Sequence, residues 1–276
     1  MNAPALHVHL YCAGRPPTII IGAINADGET VPTAIPCEHA LTIYVDRCEV
    51  VTLMTLGGAP EALTLGYLRN QKLIGDLHDV LAVQVDWQVN AVAVTTRSGE
   101  GLRDPTQRLE RRIVTTGCGQ GTMFGALMDD VASLSLSADN SLTATRLHQV
   151  VEAVRERQCV YREAGSVHAC ALARNTPDAE VLYFIEDVGR HNAVDAIAGC
   201  MWLDGEDGAD KIFYSTGRLT SEMVIKAARM GIPFLVSRSG LTQMAWEIAR
   251  CVGLTLIGRA RNRHYLVYTG AGRFTR

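Results

Sequence analysis

Thr115-Thr116-Gly117-Cys118-Gly119-Gln120-Gly121 sets one cysteine between glycines in a run without an apolar side chain. Such a run is a poor place to bury a structural thiol. Glycines accept left-handed backbone and let another molecule approach the main chain. Polar, Gly-rich segments lie at surfaces, where reactive residues are often carried. Arg111 and Arg112 stand just upstream. Folded near the sulfur, they favour the thiolate, which is the reactive form. This stretch alone fits two readings: a reactive cysteine on a mobile loop, or a tight turn that happens to hold a cysteine.

A second kind of chemistry gathers further on. Glu186-Asp187-Val188-Gly189-Arg190-His191-Asn192-Ala193-Val194-Asp195 follows the apolar run Val181–Ile185. Two acids, an Arg and a His at a strand-to-helix corner make a potential site, and a solvated ion-pair set is the plainer alternative. Ser215-Thr216-Gly217-Arg218-Leu219-Thr220-Ser221-Glu222 follows Lys211–Tyr214. Hydroxyls, a glycine and a guanidinium before a helix N-terminus suit an anion, though a capping turn reads the same way. The Walker pattern G-x-x-x-x-G-K is absent. Ser237-Arg238-Ser239-Gly240 repeats the theme, and Gly258-Arg259-Ala260-Arg261-Asn262-Arg263-His264 packs three Arg and a His into one short loop. Successive strand ends offering Arg with Gly or Ser point to a polyanion such as a nucleotide or pyrophosphate. His168, two residues before Cys170, lacks a further metal-ligand set and reads as a hydrogen-bonded core histidine.

The elements that must position these groups are legible in part. Residues 1 to 32 read as a loose arm with an edge strand at Thr18–Ile21. Residues 33–140 read as a β-rich subdomain carrying the Cys118 loop, and 141–276 as an α/β subdomain. Leu41–Val45 and Val50–Met54 form a hairpin signal around Asp46 and Arg47. Pro60-Glu61 opens a helix that ends near Gln71, with Leu63, Tyr67 and Leu68 on one face. Val80–Thr96 alternates as strand and turns near Asn90. Leu142–Gln158 is an amphipathic helix with Leu147, Val150, Val151 and Val154 on its stripe. Thereafter strands (Val181–Ile185, Lys211–Tyr214, Phe234–Val236, Leu254–Ile257, Tyr265–Tyr268) alternate with helices (His191–Cys200, Thr220–Met230, Thr242–Val252). That rhythm implies an α/β layered sheet, in which ligands bind beyond the carboxyl ends of strands.

Composition narrows the class. The 276 residues are 47% hydrophobic with a net charge of −3, which affords a sizeable core and argues against a general nucleic-acid binder. No apolar run reaches the length of a membrane span, and the first 17 residues show no secretory leader. The eight cysteines, at positions 12, 37, 48, 118, 159, 170, 200 and 251, include no C-x-x-C pair, so no metal site is expected. Most sit among apolar neighbours, as small hydrophobes do in a reducing cytoplasm.

Together, Glu186–Asp195, Ser215–Met223, Gly231-Ile232-Pro233, Val236–Ser239 and Gly258 through Thr269 resemble the FdhD/NarQ family of formate dehydrogenase accessory sulfurtransferases. Met54–Gly58 with Glu61–Leu68 is similar to a further family segment, so the resemblance runs from about residue 37 to 269. It implies a cytidine-deaminase-like fold, usually in a homodimer. It implies a persulfide taken from a cysteine desulfurase by Cys118 and delivered to a molybdenum (or tungsten) bis-guanine-dinucleotide pterin cofactor bound for formate dehydrogenase. The cofactor is then a client, and a GDP-like nucleotide is a possible ligand. The family's cofactor segment falls on Arg259, Ala260, Arg261, Asn262, Arg263 and His264. Position adds Arg218 and Arg238 as charged contacts, and His191 and Asp195 for local orientation.

The sequence departs from the family in three places. Gly121 stands where the family's C-G-x-C loop has its second cysteine, His264 where Arg is common, and Ala196 where Lys is common. The H-x-E and C-x-x-C motifs of the zinc deaminases are missing, with His168-Ala169-Cys170 and Thr220–Met223 in their place. Two other functions remain open: a cofactor-binding chaperone that moves no sulfur, and a nucleotide-binding regulatory relative.

Overall fold

A computed structural model describes residues 8–11, 14–99, 113–114, 131, 134–136 and 139–276. Two six-stranded sheets carry a mixed α/β fold. The first uses β1 (His9–Tyr11), β4 (His39–Val45), β5 (Cys48–Thr55), β6 (Val80–Asp86), β7 (Ala91–Thr96) and β8 (Ile113–Val114) in the order β1-β6-β7-β4-β5-β8. Its hairpin turns sit where the sequence places them. Asp46 and Arg47 both take positive φ (43° and 76°) between β4 and β5, the twist that suits a two-residue hairpin loop. Asn90 does the same between β6 and β7 (φ 52°). Residues assigned to a loose arm form a separate ribbon, in which β2 (Thr18–Ile24) pairs antiparallel with β3 (Thr30–Pro36).

The second sheet uses β10 (His168–Arg174), β11 (Val181–Asp187), β12 (Lys211–Ser215), β13 (Phe234–Ser237), β14 (Thr255–Arg261) and β15 (His264–Val267) in the order β11-β10-β12-β13-β14-β15. β10 runs antiparallel to both neighbours, while β12, β13 and β14 are parallel. β9 (Leu142–Thr143) and β16 (Phe274–Thr275) make a minor parallel pair. Helix α2 (Ala144–Arg157) covers one face through Leu147, Val150, Val151 and Val154, the residues of its sequence stripe, and Thr143 caps it. The short helix α3 (Val160–Ala164) follows. The other face is covered by α4 (Arg190–Asp204), α5 (Ser221–Arg229) and α6 (Gln243–Cys251).

Helix α1 (Pro60–Asn70) joins the two sheets. Leu63, Leu65, Tyr67 and Leu68 belong to the core of the first sheet, and Ala196 of α4 enters the same cluster. Instead of one apolar face, α1 buries every residue except Arg69, because a sheet lies on one side and α4 on the other. The two helices touch backbone to backbone: a Cβ on Gly66 would stand 1.7 Å from the Asp195 carbonyl oxygen, and one on Gly199 would stand 1.9 Å from that of Ala62.

Two segments differ from the sequence expectation. His168–Arg174 is a strand at the heart of the second sheet and nearly all buried, although its Ala-Cys-Ala-Leu-Ala run holds no β-branched residue. Residues Arg259–His264 form the tip of the β14–β15 hairpin and not a free loop. The apolar alternation stops at Ile257, but ladder pairing continues to Arg261, opposite His264, across a bulge where Arg259 has φ 53°.

Candidate functional site at the strand ends

The topology brings the polar clusters to one edge of the second sheet. Asp187 at the end of β11 pairs with His168 at the start of β10, Ser215 ends β12 beside Cys170, and Ser237 ends β13 beside Ser215. The turn after β12 is stitched in place by serines. The Ser215 hydroxyl accepts from Gly217 N–H at 3.1 Å, and Ser237 donates to the Gly217 carbonyl at 2.6 Å while accepting from Ser239 N–H at 2.9 Å. Thr216 Oγ1 accepts from Ala169 N–H at 2.9 Å. The Arg190 side chain runs alongside Gly217, and a Cβ there would meet its Cδ at 2.8 Å and push it aside.

The two acids after Ile185 close β11, and both are employed in holding neighbours. Asp187 accepts from Thr55 Oγ1 (2.6 Å), Leu56 N–H (3.0 Å), Gly189 N–H (2.9 Å) and Asn192 Nδ2 (2.8 Å). It thereby ties the end of β5 to the start of α4. Glu186 accepts from the backbone N–H groups of Cys159, Val160 and Tyr161 at 3.0–3.1 Å, and from the Cys159 thiol at 3.3 Å. That fixes α3, whose Tyr161 ring lies 4.8 Å beneath the Arg238 guanidinium. Arg261 Nε donates to the Arg238 carbonyl at 3.3 Å. Gln158, Tyr161, Tyr214, Arg238, Arg261 and Asn262 line a groove of about 340 Å³ beside this edge.

Charge at the edge is unbalanced. Burial, then Arg190, Arg238 and Arg218 in turn, push the His168 imidazole below its ordinary pKa, so His168 is neutral near pH 7. Among the described residues none of these three guanidiniums has a carboxylate ion-pair partner. Arg190 is only 8% exposed, and its buried Nε makes no hydrogen bond. Arg190 is drawn toward Glu222 without forming an ion pair, and a buried donor with no hydrogen bond beside two further guanidiniums is costly unless an anion completes it. Phosphate oxygens are the matching chemistry. No group of three or more metal-ligating side chains gathers among the described residues.

The sequence-derived positions divide accordingly. Arg218 and Arg238 converge on His168, and Arg261 with Asn262 shares the groove with Arg238. Arg259, Arg263 and His264 are exposed around the hairpin tip, and Ala260 is buried. Asp195 lies behind the edge. It is fully buried, 2.9 Å from Lys226 Nζ and 2.7 Å from Asn70 Nδ2. His191 is largely but not fully buried, its Nδ1 lying 3.5 Å from Glu222 Oε2. Cys118 lies outside the described residues. Val114 is the last described residue before it and pairs with Leu53, near the strand end where Thr55 meets Asp187. Sequence reasoning held Arg190 only as one polar residue of the Glu186–Asp195 block and left His168 out of the site. Only the fold shows Arg190 unpaired.

Comparison with known proteins fits this geometry. Residues 36–275 match the model of the FdhD/NarQ family. The chain belongs to the FdhD/NarQ family. A relative from Listeria monocytogenes, called sulfur carrier protein FdhD, is 27% identical over 250 residues, covering 90% of this chain and 94% of that one. A protein of the same name from Saccharolobus solfataricus is 33% identical over 231 residues, with 83% and 85% covered. The crystal structure of a protein described as a formate dehydrogenase accessory protein from Desulfotalea psychrophila superimposes with a TM-score of 0.74. It is 23% identical and covers 94% of this chain and all of that one, a likeness of fold. The FdhD/NarQ match takes in every strand end described above.

His191 gives the site a measurable pH signature. Burial pushes its pKa down to about 3, against an ordinary 6.5. Below pH 6.5 the unfolded chain binds a proton that the folded one refuses. The contribution is therefore complete above pH 6.5 and is lost as pH falls toward 3. His191→Gln is expected to flatten the rise of unfolding free energy between pH 4 and 6. Urea titrations across that window check it, and an unchanged slope would show that His191 accepts the proton when folded.

Proposed function

We propose that this protein is a sulfur carrier for formate dehydrogenase. In this reading Cys118 takes sulfur from a cysteine desulfurase, and the strand-end arginines hold the molybdenum (or tungsten) bis-guanine-dinucleotide pterin that receives it. Family membership and the relatives' shared name support sulfur carriage. The observation that carries the cofactor side is the set of Arg190, Arg218 and Arg238, unpaired around a neutral His168. Next to them the Tyr161–Arg238–Arg261 groove offers an aromatic ring and guanidiniums suited to a guanine nucleotide. A GDP-like fragment is the smallest ligand expected to occupy it. The resemblance to cytidine deaminases, the cytoplasmic setting and the homodimer belong to the same proposal.

One sulfur suffices for the first step. The Cys118 thiolate attacks the outer sulfur of the donor persulfide. A new S–S bond forms on Cys118 as the old one breaks, and the desulfurase leaves as its thiolate, with no net oxidation. Gly121 removes the second loop thiol, so an internal disulfide on this loop plays no part. Cys170 is no substitute, because it is fully buried and its thiol is pushed up to about 12, chiefly by burial.

The deciding experiment is intact-protein mass spectrometry after incubation with an active desulfurase and cysteine. Wild type is expected to gain about 32 Da, reversed by reductant, and Cys118→Ala to gain nothing. No gain on wild type, with a control acceptor loaded, would overturn sulfur carriage. The absent second cysteine also favours a cofactor-binding chaperone, for which GDP binding persists while Cys118 never receives sulfur.

A further inference from the structure

His168 opens β10 beside the arginine set, and its own hydrogen bonds are unspent. The ring is half-buried and makes no hydrogen bond among the described residues, so it is not the hydrogen-bonded core histidine that its sequence suggests. It stands against the turn after β12: a Cβ on Gly217 would lie 3.5 Å from His168 Nδ1 and 3.2 Å from the Arg190 Cβ. Ser215 and Ser237 hold that turn, and Arg238 N–H donates to the Ser215 carbonyl at 3.3 Å. The imidazole and the three arginines therefore share one fixed frame. Arg190 acts on the ring from α4, Arg218 from the turn after β12 and Arg238 from the turn after β13. His191 of α4 adds a second, neutral ring. The nearby carboxylates are engaged elsewhere. Asp187, opposite His168 in the β10–β11 ladder, gives its oxygens to Thr55, Leu56, Gly189 and Asn192. Glu186 holds the start of α3, and Glu222 of α5 faces Lys226 and His191. Three positive charges thus act on an imidazole that no carboxylate offsets.

We propose that His168 is a fourth contact for the anion held by Arg190, Arg218 and Arg238, and that it binds as imidazolium, taking one proton from solvent as the anion settles. The inference rests on the anion reading given above and adds to it a residue and a proton. On its own the set repels a proton from the ring, because burial and the guanidinium charges both act against imidazolium. An anion among the guanidiniums cancels their field and brings an acceptor to the ring. Arginine does not release its proton in proteins, so the imidazole is the member of the set that adjusts. A ring whose midpoint lies higher in the complex than in the free protein tightens binding as pH falls. The gain is absent above the midpoint of the complex and complete below that of the free protein. The arrangement selects ligand charge beyond one. A pyrophosphate or a terminal phosphate matches three guanidiniums and an imidazolium, whereas a lone carboxylate leaves most of that charge uncompensated.

Imidazole resonances of the full chain, followed against pH with and without GDP, test it. The His168 signal is assigned by its loss in His168→Gln, or in His168→Asn if the glutamine variant does not fold. Its midpoint is expected to move to higher pH when GDP binds, while that of His78, outside the site, stays in place. Inorganic pyrophosphate is expected to move it the same way, and acetate is not. Calorimetric affinities give a second reading. The nucleotide's own phosphate also titrates, and the His168 variant reports that contribution alone. From about pH 8 to 6, wild type is expected to gain about tenfold in GDP affinity over the variant, near the worth of one charge-assisted hydrogen bond. GDP binding that leaves the His168 midpoint unmoved or lowers it would overturn the proposal, as would the same pH dependence in both proteins. An equal response to acetate would overturn the phosphate assignment. No GDP binding at any pH would overturn the arginine-set reading, and this inference with it.

Discussion

Lys226→Met is expected to cost about 3–5 kcal/mol of folding stability, the range for stripping one partner from a buried ion pair. Lys226 is fully buried, with Nζ 2.9 Å from Asp195 Oδ2 and 3.3 Å from Glu222 Oε1. Methionine fills the same space and leaves two carboxylates without their cation. Burial already raises the Asp195 pKa against the pull of Lys226. Glu222 is held low, because Lys226 and His191 outweigh its desolvation. Without Lys226 both carboxyls move upward. A carboxyl whose folded pKa is raised contributes stability present below its unfolded pKa and lost as pH rises through the folded one. The deficit against wild type is therefore expected to be largest near neutrality and to shrink toward pH 4. Urea unfolding of both proteins across that range measures it. A deficit under about 1 kcal/mol at pH 7, or one independent of pH, would mean that the network is not held by Lys226. Adding Asp195→Asn and Glu222→Gln to the variant is expected to restore much of the loss.

Gly66→Ala and Gly199→Ala are each expected to destabilise by about 3 kcal/mol or more, the upper end of overpacking costs. Inside an ordinary helix the same change stabilises by about 0.5–1 kcal/mol. Here the sign reverses, because the new Cβ would stand 1.7 Å from the Asp195 carbonyl oxygen or 1.9 Å from that of Ala62. Backbone cannot swing aside as a side chain can, so α1 and α4 must separate. The chemical-denaturation midpoint reads the effect directly. Stabilisation by either alanine would show that the helices sit farther apart than described.

Much of the C-terminal half was legible because its signals are local. Gly231 and Pro233 end α5, and the stripe of α2 buries as spaced. The polar strand ends could also be read, since strand direction in a layered α/β sheet sends such residues to one edge. What the sequence hid depends on tertiary contact. The β10 strand is made of alanines and a cysteine that any element could bury. The glycines of α1 and α4 look like weak helix residues until the crossing is seen. Asp195, legible as a polar residue of a site-like block, faces away because its helix turns it toward α1 and α5. His168 carried no signal beyond its type, and only Arg190, Arg218 and Arg238 around it give it a role. Thr18–Ile21 read as an edge strand from sequence, but its partner β3 was hidden because Pro32 and Pro36 interrupt that run.

Cys170 carries a practical consequence. Its sulfur sits in β10, which is paired on both sides within the second sheet, without exposure and with the thiol pushed up to about 12. Cys159 and Cys251, by contrast, are exposed. An alkylating reagent added to the folded protein will therefore tag the outer thiols first and reach Cys170 only when the sheet opens. The time course of that one adduct is a clock, written into the chain, for how often the second sheet comes apart.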